Sequence, residues 1–411
     1  MGALEQTRDP DRAKRGPVGG AGGVGGCARG AQHGWGNVHS TEKESIMGIR
    51  HAVTALLAVL VLAVPASAGA ASSSGAVVFS RITQHTETKK VEGEAPKAGE
   101  APKTETKTVI EGGLFAVKNG RLNQLTEDPT DTEPAFSPDG TSIAFVRGGH
   151  VFSVRADGSG LRQLTSGSTL DSKPVVSPDG RLVVFERRAA TGGPADLYTV
   201  RSHGGGLHPL TSGGADDHDA DFSADGRSIA FVRTSGANDD LFTVRPSGAK
   251  LARLTRTGGV DEFEPRFFAG GIVFSRGDSS DTPAAYADVY TMAANGTKVR
   301  PQVKGVGSAY VEDVTGNGHT LLFRRDQGLW VKRIGPSKAR KLCQLPDGSE
   351  TNGVFSSDGR RVAAFVAADE REQLVAIDVA NGRQRDLAEG VDLTEGDGTT
   401  IGPVISWQPV R

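Results

Sequence analysis

The densest set of groups able to do chemistry is the run Asp216-Asp217-His218-Asp219-Ala220-Asp221. Asp217, Asp219 and Asp221 alternate as the first oxygen ligands of a calcium loop do. The sixth position, which such a loop gives to glycine, is Phe222, and no glutamate follows at the closing place. The histidines include no HExxH pair, and neither GxSxG nor GxxxxGK[ST] occurs, so zinc peptidase, serine hydrolase and P-loop chemistry lack their residues. Cys27 and Cys343 stand far apart and form no CxxC. The expectation is a chain with no catalytic residue, no metal site and no cofactor.

The elements that would position these groups are short. Gly 56 and Pro 20 among 411 residues imply many brief segments joined by tight turns. The 47 basic and 49 acidic side chains leave a net charge of -2, which disfavours nucleic acid and anionic membranes as partners. Residues 47–68 read as a secretory signal peptide: Arg50 and His51, an apolar run from Ala52 to Val64, and Ala66-Ser67-Ala68 for cleavage. That run is too short to span a bilayer as a helix. A secreted, extracytoplasmic protein is expected, with 1–46 a disordered or misassigned extension and 69–411 the folded part.

One β-strand recurs through that part, ending in Phe79, Phe145, Phe185, Phe231, Phe274, Phe323 and Phe365. The spacings are 66, 40, 46, 43, 49 and 42; the first is long because a Thr, Lys, Glu and Pro tract over 83–108 interrupts it. Each Phe strand, here strand b, follows a strand a that ends in turns such as Ser137-Pro-Asp-Gly140, Ser177-Pro-Asp-Gly180 and Ser223-Ala-Asp-Gly226. Asp-Gly accepts the positive φ of a hairpin turn. Strand c carries Phe115, Phe152, Tyr198, Phe242, Tyr290, Trp330 or Val375, and strand d leads to Leu125, Leu164, Leu210, Leu254, Val303, Leu345 or Leu387. Four short strands every 40 to 50 residues predict an all-β, seven-bladed β-propeller of antiparallel blades. The first repeat lacks strand a, and the segment Pro403 to Pro409 around Trp407 is the strand that would close it.

Ser-Pro-Asp-Gly, Ile-Ala-Phe, Asp-Leu-Tyr and Leu-Thr in succession resemble the TolB-like, WD40-like (PD40) propeller repeat of secreted bacterial proteins, over about residues 75 to 409. The resemblance implies the fold and an extracytoplasmic place. A shared fold does not carry function.

Propeller connectivity puts the d-to-a and b-to-c loops on one face, here the upper. The b-to-c loops vary most, which makes that face the expected binding surface. Acidic residues precede strand a at Asp131, Asp171, Asp217, Glu262 and Glu350, and arginine follows strand b at Arg81, Arg147, Arg187, Arg233, Arg276 and Arg325. The acids would either ring the channel mouth or pair with the arginines. Asp131 and Arg147, Asp171 and Arg187, and Asp217 and Arg233 are each eight residues either side of a turn aspartate, which makes them cross-strand neighbours. Glu350 has no matching arginine, Arg325 faces Ala309, and Arg81 faces the closing strand. His85, His150 and His218 share the upper face in separate blades.

The expected ligand-binding residues are Arg81, Arg325, Glu350, Asp217 and His218. The expected function is non-catalytic binding of an envelope protein, a peptide or a glycan by a monomer; the alternative is a carbohydrate-active or hydrolytic propeller of the metal-dependent lyase type. The tract 83–108 reads as a disordered insertion with nearly balanced charge.

Overall fold

The computed structural model describes residues 75–90, 104–277, 286–305, 307–315, 317–345, 353–368, 371–388 and 400–407. The expected extension 1–46 and the expected signal peptide 47–68 lie outside them. The described residues form seven antiparallel sheets of four strands. Strands a to c of blade 2, for example, are Asp131–Phe136, Ser142–Arg147 and His150–Arg155.

Blade 1 is closed as the sequence predicts. Thr400–Trp407 pairs with Val77–Lys90, setting Trp407 opposite Val77 and Ile405 opposite Phe79. A ring shut in this way has no open edge between first and last blades. All seven strand b phenylalanines are fully buried, each in an apolar cluster that spans neighbouring blades. Burying a phenylalanine stabilises a fold by about 1.5–3 kcal/mol.

Each Ser-x-Asp-Gly turn locks itself. In the first, Ser137 Oγ donates to Asp139 at 2.6 Å, Thr141 N–H donates to the same oxygen at 3.0 Å, and Gly140 has φ +67°. The upper face is likewise as expected: Asp171 N–H donates to Gly149 C=O and Asp217 N–H to Ala195 C=O, both at 2.8 Å, joining d-to-a loops to b-to-c loops.

The tract 83–108 corrects the expectation. It is not a disordered insertion throughout, because Val77–Lys90 and Thr104–Lys118 continue as one antiparallel hairpin in register from Val77–Val117 to Lys90–Thr104. The alternation of threonine with charged residues has no apolar face, which hides a strand from hydrophobic patterning. Residues 91–103 are outside the described set.

Candidate functional site

Among the described residues the upper acids Asp131, Asp171, Asp217 and Glu262 do not ring the channel mouth. They are buried between blades, where Asp131, Asp171 and Asp217 each accept the two-pronged fork of Arg147, Arg187 and Arg233, with Nε–Oδ1 distances of 2.6 Å in all three. Glu262 accepts from Arg276 at 2.8 Å. Each arginine also lies over the ring pair of its own blade; Arg233, for instance, is 5.6 Å from the Phe231 centroid and 5.1 Å from that of Phe242.

The Leu-Thr motif completes this clamp from the preceding blade. Leu114 N–H donates to Thr126 Oγ1 at 2.8 Å, and Thr126 passes its own hydrogen bond to Asp131. Val151, Thr165 and Asp171 repeat the relay at 2.8 and 2.5 Å. In the next blade Leu197 N–H donates to Thr211 at 2.9 Å, but Thr211 reaches Asp196 at 3.4 Å while Asp217 takes the Arg233 fork. Leu241, Thr255 and Glu262 form the fourth. Burial raises the Asp131 carboxyl in spite of Arg147 and Thr126. Desolvation thus offsets much of the Coulomb attraction, and the clamp's main effect is to fix the docking of one blade on the next.

A second layer of charge lines the channel. Glu133, Lys173, Asp219 and Glu264, each two residues beyond the clamp acid, have φ between +48° and +54° at a bulge in strand a. A bulge frees backbone groups from the ladder. Side chains of the neighbouring blade satisfy them: Glu133 accepts from Lys173 N–H at 2.5 Å and Glu186 from Asp219 N–H at 2.9 Å, while beyond the bulges Asp221 accepts from Phe267 N–H at 2.6 Å and Asp313 from Phe355 N–H at 2.9 Å. Lys173 Nζ binds Asp219 at 2.8 Å, with Glu186 at 3.3 Å. Between these stitches is a cavity of about 190 Å³ lined by Lys173, Asp219, Asp221, Arg266, Glu312 and Asp313, among others.

Burial pushes the Glu133 and Glu312 carboxyls up to about 8 and Asp313 up to about 6. Asp219 moves the other way: burial would raise it, but Lys173 and His218 hold it well below the usual carboxylate range. Burial disfavours the His218 imidazolium, yet Asp219, at 3.1 Å from Nδ1, leaves its pKa raised.

Of the five expected ligand-binding residues, Asp217 is spent on Arg233 and fully buried, so it offers no free oxygen. His218 belongs to the channel layer through Asp219 and Thr234. Glu350 lies outside the described residues. Arg81 and Arg325 stand where predicted: Arg325 is opposite Ala309, and Arg81 is between Gly113 and Ile401. Arg325 lies 3.7 Å above the Trp330 ring, whose Nε1 donates to Arg325 C=O at 3.1 Å, and Arg81 lies 5.8 Å from the Phe115 centroid. Their Nε atoms, the atoms that hold the acid elsewhere, are buried without a hydrogen-bond partner among the described residues. Among the described residues Arg325 has its exposed neighbour Asp326, 3.2 Å away, as counter-charge.

The channel layer was missed in the sequence, although it has a signature. A charged residue followed by proline comes two places after the clamp acid in Glu133-Pro134, Lys173-Pro174 and Glu264-Pro265. Among the described residues no three His, Cys, Asp or Glu side chains converge on a point that could hold a metal ion.

No family model and no curated protein matches this sequence. Solved structures do. An oligogalacturonate lyase from Vibrio parahaemolyticus is 12% identical, with a TM-score of 0.55 over 66% of this chain and 86% of its own. A puromycin hydrolase is 13% identical, with a TM-score of 0.54 over 69% of this chain and 51% of its own. TolB from Acinetobacter baumannii is 14% identical, with a TM-score of 0.47 over 73% of this chain and 80% of its own. At such identities the likeness is one of fold, and this chain is a seven-bladed β-propeller whose chemistry has to be read from its own side chains.

Proposed function

We propose that this protein is a non-catalytic, extracytoplasmic binding protein that takes a carboxylate-bearing peptide segment of a partner protein on its upper face, at blades 6, 7 and 1. The observation that carries the reading is the pair of arginines with no strand a acid opposite them among the described residues. In four blades the same arginine, on the same aromatic platform, grips a carboxylate. In blades 1 and 6 the ring and the guanidinium are kept and, among the described residues, Ile401 and Ala309 stand where the strand a carboxylate would be. A planar guanidinium held over a ring presents a fork shaped for a carboxylate. The channel carboxylates, by contrast, are engaged with backbone N–H groups and with Lys173, which suits a stitched core more than a reacting site.

The test is capture from an envelope extract on the immobilised protein, compared with an Arg81→Gln/Arg325→Gln variant. Loss of one captured species from the variant, and its release from the parent protein by free glutamate, is the expected result. Equal capture by both removes these arginines from the binding face, and release by an oligosaccharide in place of glutamate turns the reading to a glycan.

A further inference from the structure

The hairpin built on blade 1 holds a feature that binding at the upper arginines does not use. Beyond the blade its two strands carry the same tetrapeptide, Thr86-Glu87-Thr88-Lys89 and Thr104-Glu105-Thr106-Lys107. They pair antiparallel about Thr88 and Thr106, so that Glu87 meets Lys107 and Lys89 meets Glu105. The tetrapeptide is therefore complementary to itself. Opposite charges directly across a strand pair attract, and like charges repel.

The arm is exposed along this stretch. At its base it is held firmly: a side chain at Gly113 would meet the Thr126 carbonyl at 2.1 Å, and one at Gly112 would meet the Arg81 carbonyl at 2.5 Å. Strand d pairs only with Phe115–Lys118, and the closing strand extends only to Ile82. Among the described residues nothing pairs with the outer edge of 104–111. Every second residue there turns its N–H and C=O away from the hairpin partner.

We propose that this edge pairs with the same edge of a second copy of the chain, antiparallel, about a twofold axis at Thr106. The contact is isologous, as most homodimer contacts are. It sets Glu105 against Lys107 of the second copy and Lys107 against its Glu105, with Thr104 and Thr108 facing one another. Lysines on an edge strand normally keep other edges away; here each is matched by a glutamate. The register is fixed by the same charges. Sliding by two residues in one direction places Lys107 against Lys107, and in the other Glu105 against Glu105. The monomer expected from the sequence becomes a dimer joined by its arms, with the propellers at opposite ends of the joint sheet.

Sedimentation velocity across a dilution series tests this. The protein should move from its monomer mass toward twice that mass as concentration rises, and return to the monomer in ~1 M salt, where the Debye length is ~3 Å. Two double variants sharpen the result: Lys89→Glu/Glu105→Lys and Glu87→Lys/Lys107→Glu. Each keeps opposite charges across its own hairpin but makes the outer edge all Lys or all Glu. Each should be monomeric alone, and an equimolar mixture should dimerise as the parent protein does. A parent protein that stays monomeric at every concentration overturns the proposal, as does either double variant that dimerises alone as strongly as the parent. Circular dichroism of each variant confirms that the propeller is folded.

Discussion

Blades 2 to 5 and blades 6, 7 and 1 are built on one strand plan and differ in how they are held together. In blades 2 to 5 a threonine ends the preceding blade, an acid begins strand a, and an arginine ends strand b over two aromatic rings. In blade 6 Lys304 stands in the threonine place and Ala309 in the acid place. Blade 7 has Ala367 in the arginine place, and blade 1 has Ile401 opposite its arginine. The core phenylalanines do not share this division, since Phe323, Phe365 and Phe79 are as buried as Phe145, Phe185 and Phe231. Apolar burial closes the ring everywhere, while polar clamps add docking specificity in one sector and leave cations available in the other.

The comparison is broken most forcefully by removing one clamp acid. Asp217→Ala strands Arg233 in a buried place and should cost about 3–5 kcal/mol in urea unfolding. Arg325→Ala, which removes a cation paired across its own turn with the exposed Asp326 and not with a buried strand a acid, should cost no more than about 1 kcal/mol. Equal losses would mean that the two sectors do not differ.

The channel layer should ignore the division, and pH shows it. Glu133 in blade 2 and Glu312 in blade 6 both have carboxyls raised to about 8. In the folded state each keeps its proton between its unfolded value and about 8, so the stability they contribute is full below pH ~4.5 and is lost as pH rises through about 8. Melting temperature should therefore fall by a few degrees between pH 6 and pH 9 relative to Glu133→Gln and to Glu312→Gln, each of which flattens part of the slope.

Thr165→Val leaves the Val151 N–H and one Asp171 oxygen without the hydroxyl between them and should cost about 1–3 kcal/mol. The smallest effect is expected from Ala309→Asp, which gives Arg325 the strand a acid that blade 6 lacks. Stability should change by less than about 1 kcal/mol, while capture of the partner at the upper face should fall. Retained capture would separate Arg325 from binding.

The sequence by itself determined the blade count, the closing strand and the clamp pairs. Recurring apolar runs that end in Phe, Asp-Gly turns and equal offsets around a turn are local regularities, and a hairpin converts sequence distance directly into contact. Asp131 with Arg147 could be read in this way, and the closing strand around Trp407 from the strand a that the first repeat lacks. Only the tertiary structure decided that Asp217 was spent within the fold, that Glu133, Asp221 and Asp313 bridge one blade to the next, and that the 83–108 tract forms a paired arm at both its ends. Those contacts join different blades or lack an apolar face, so their partners are set by how whole sheets pack around the channel and not by the spacing along any one strand.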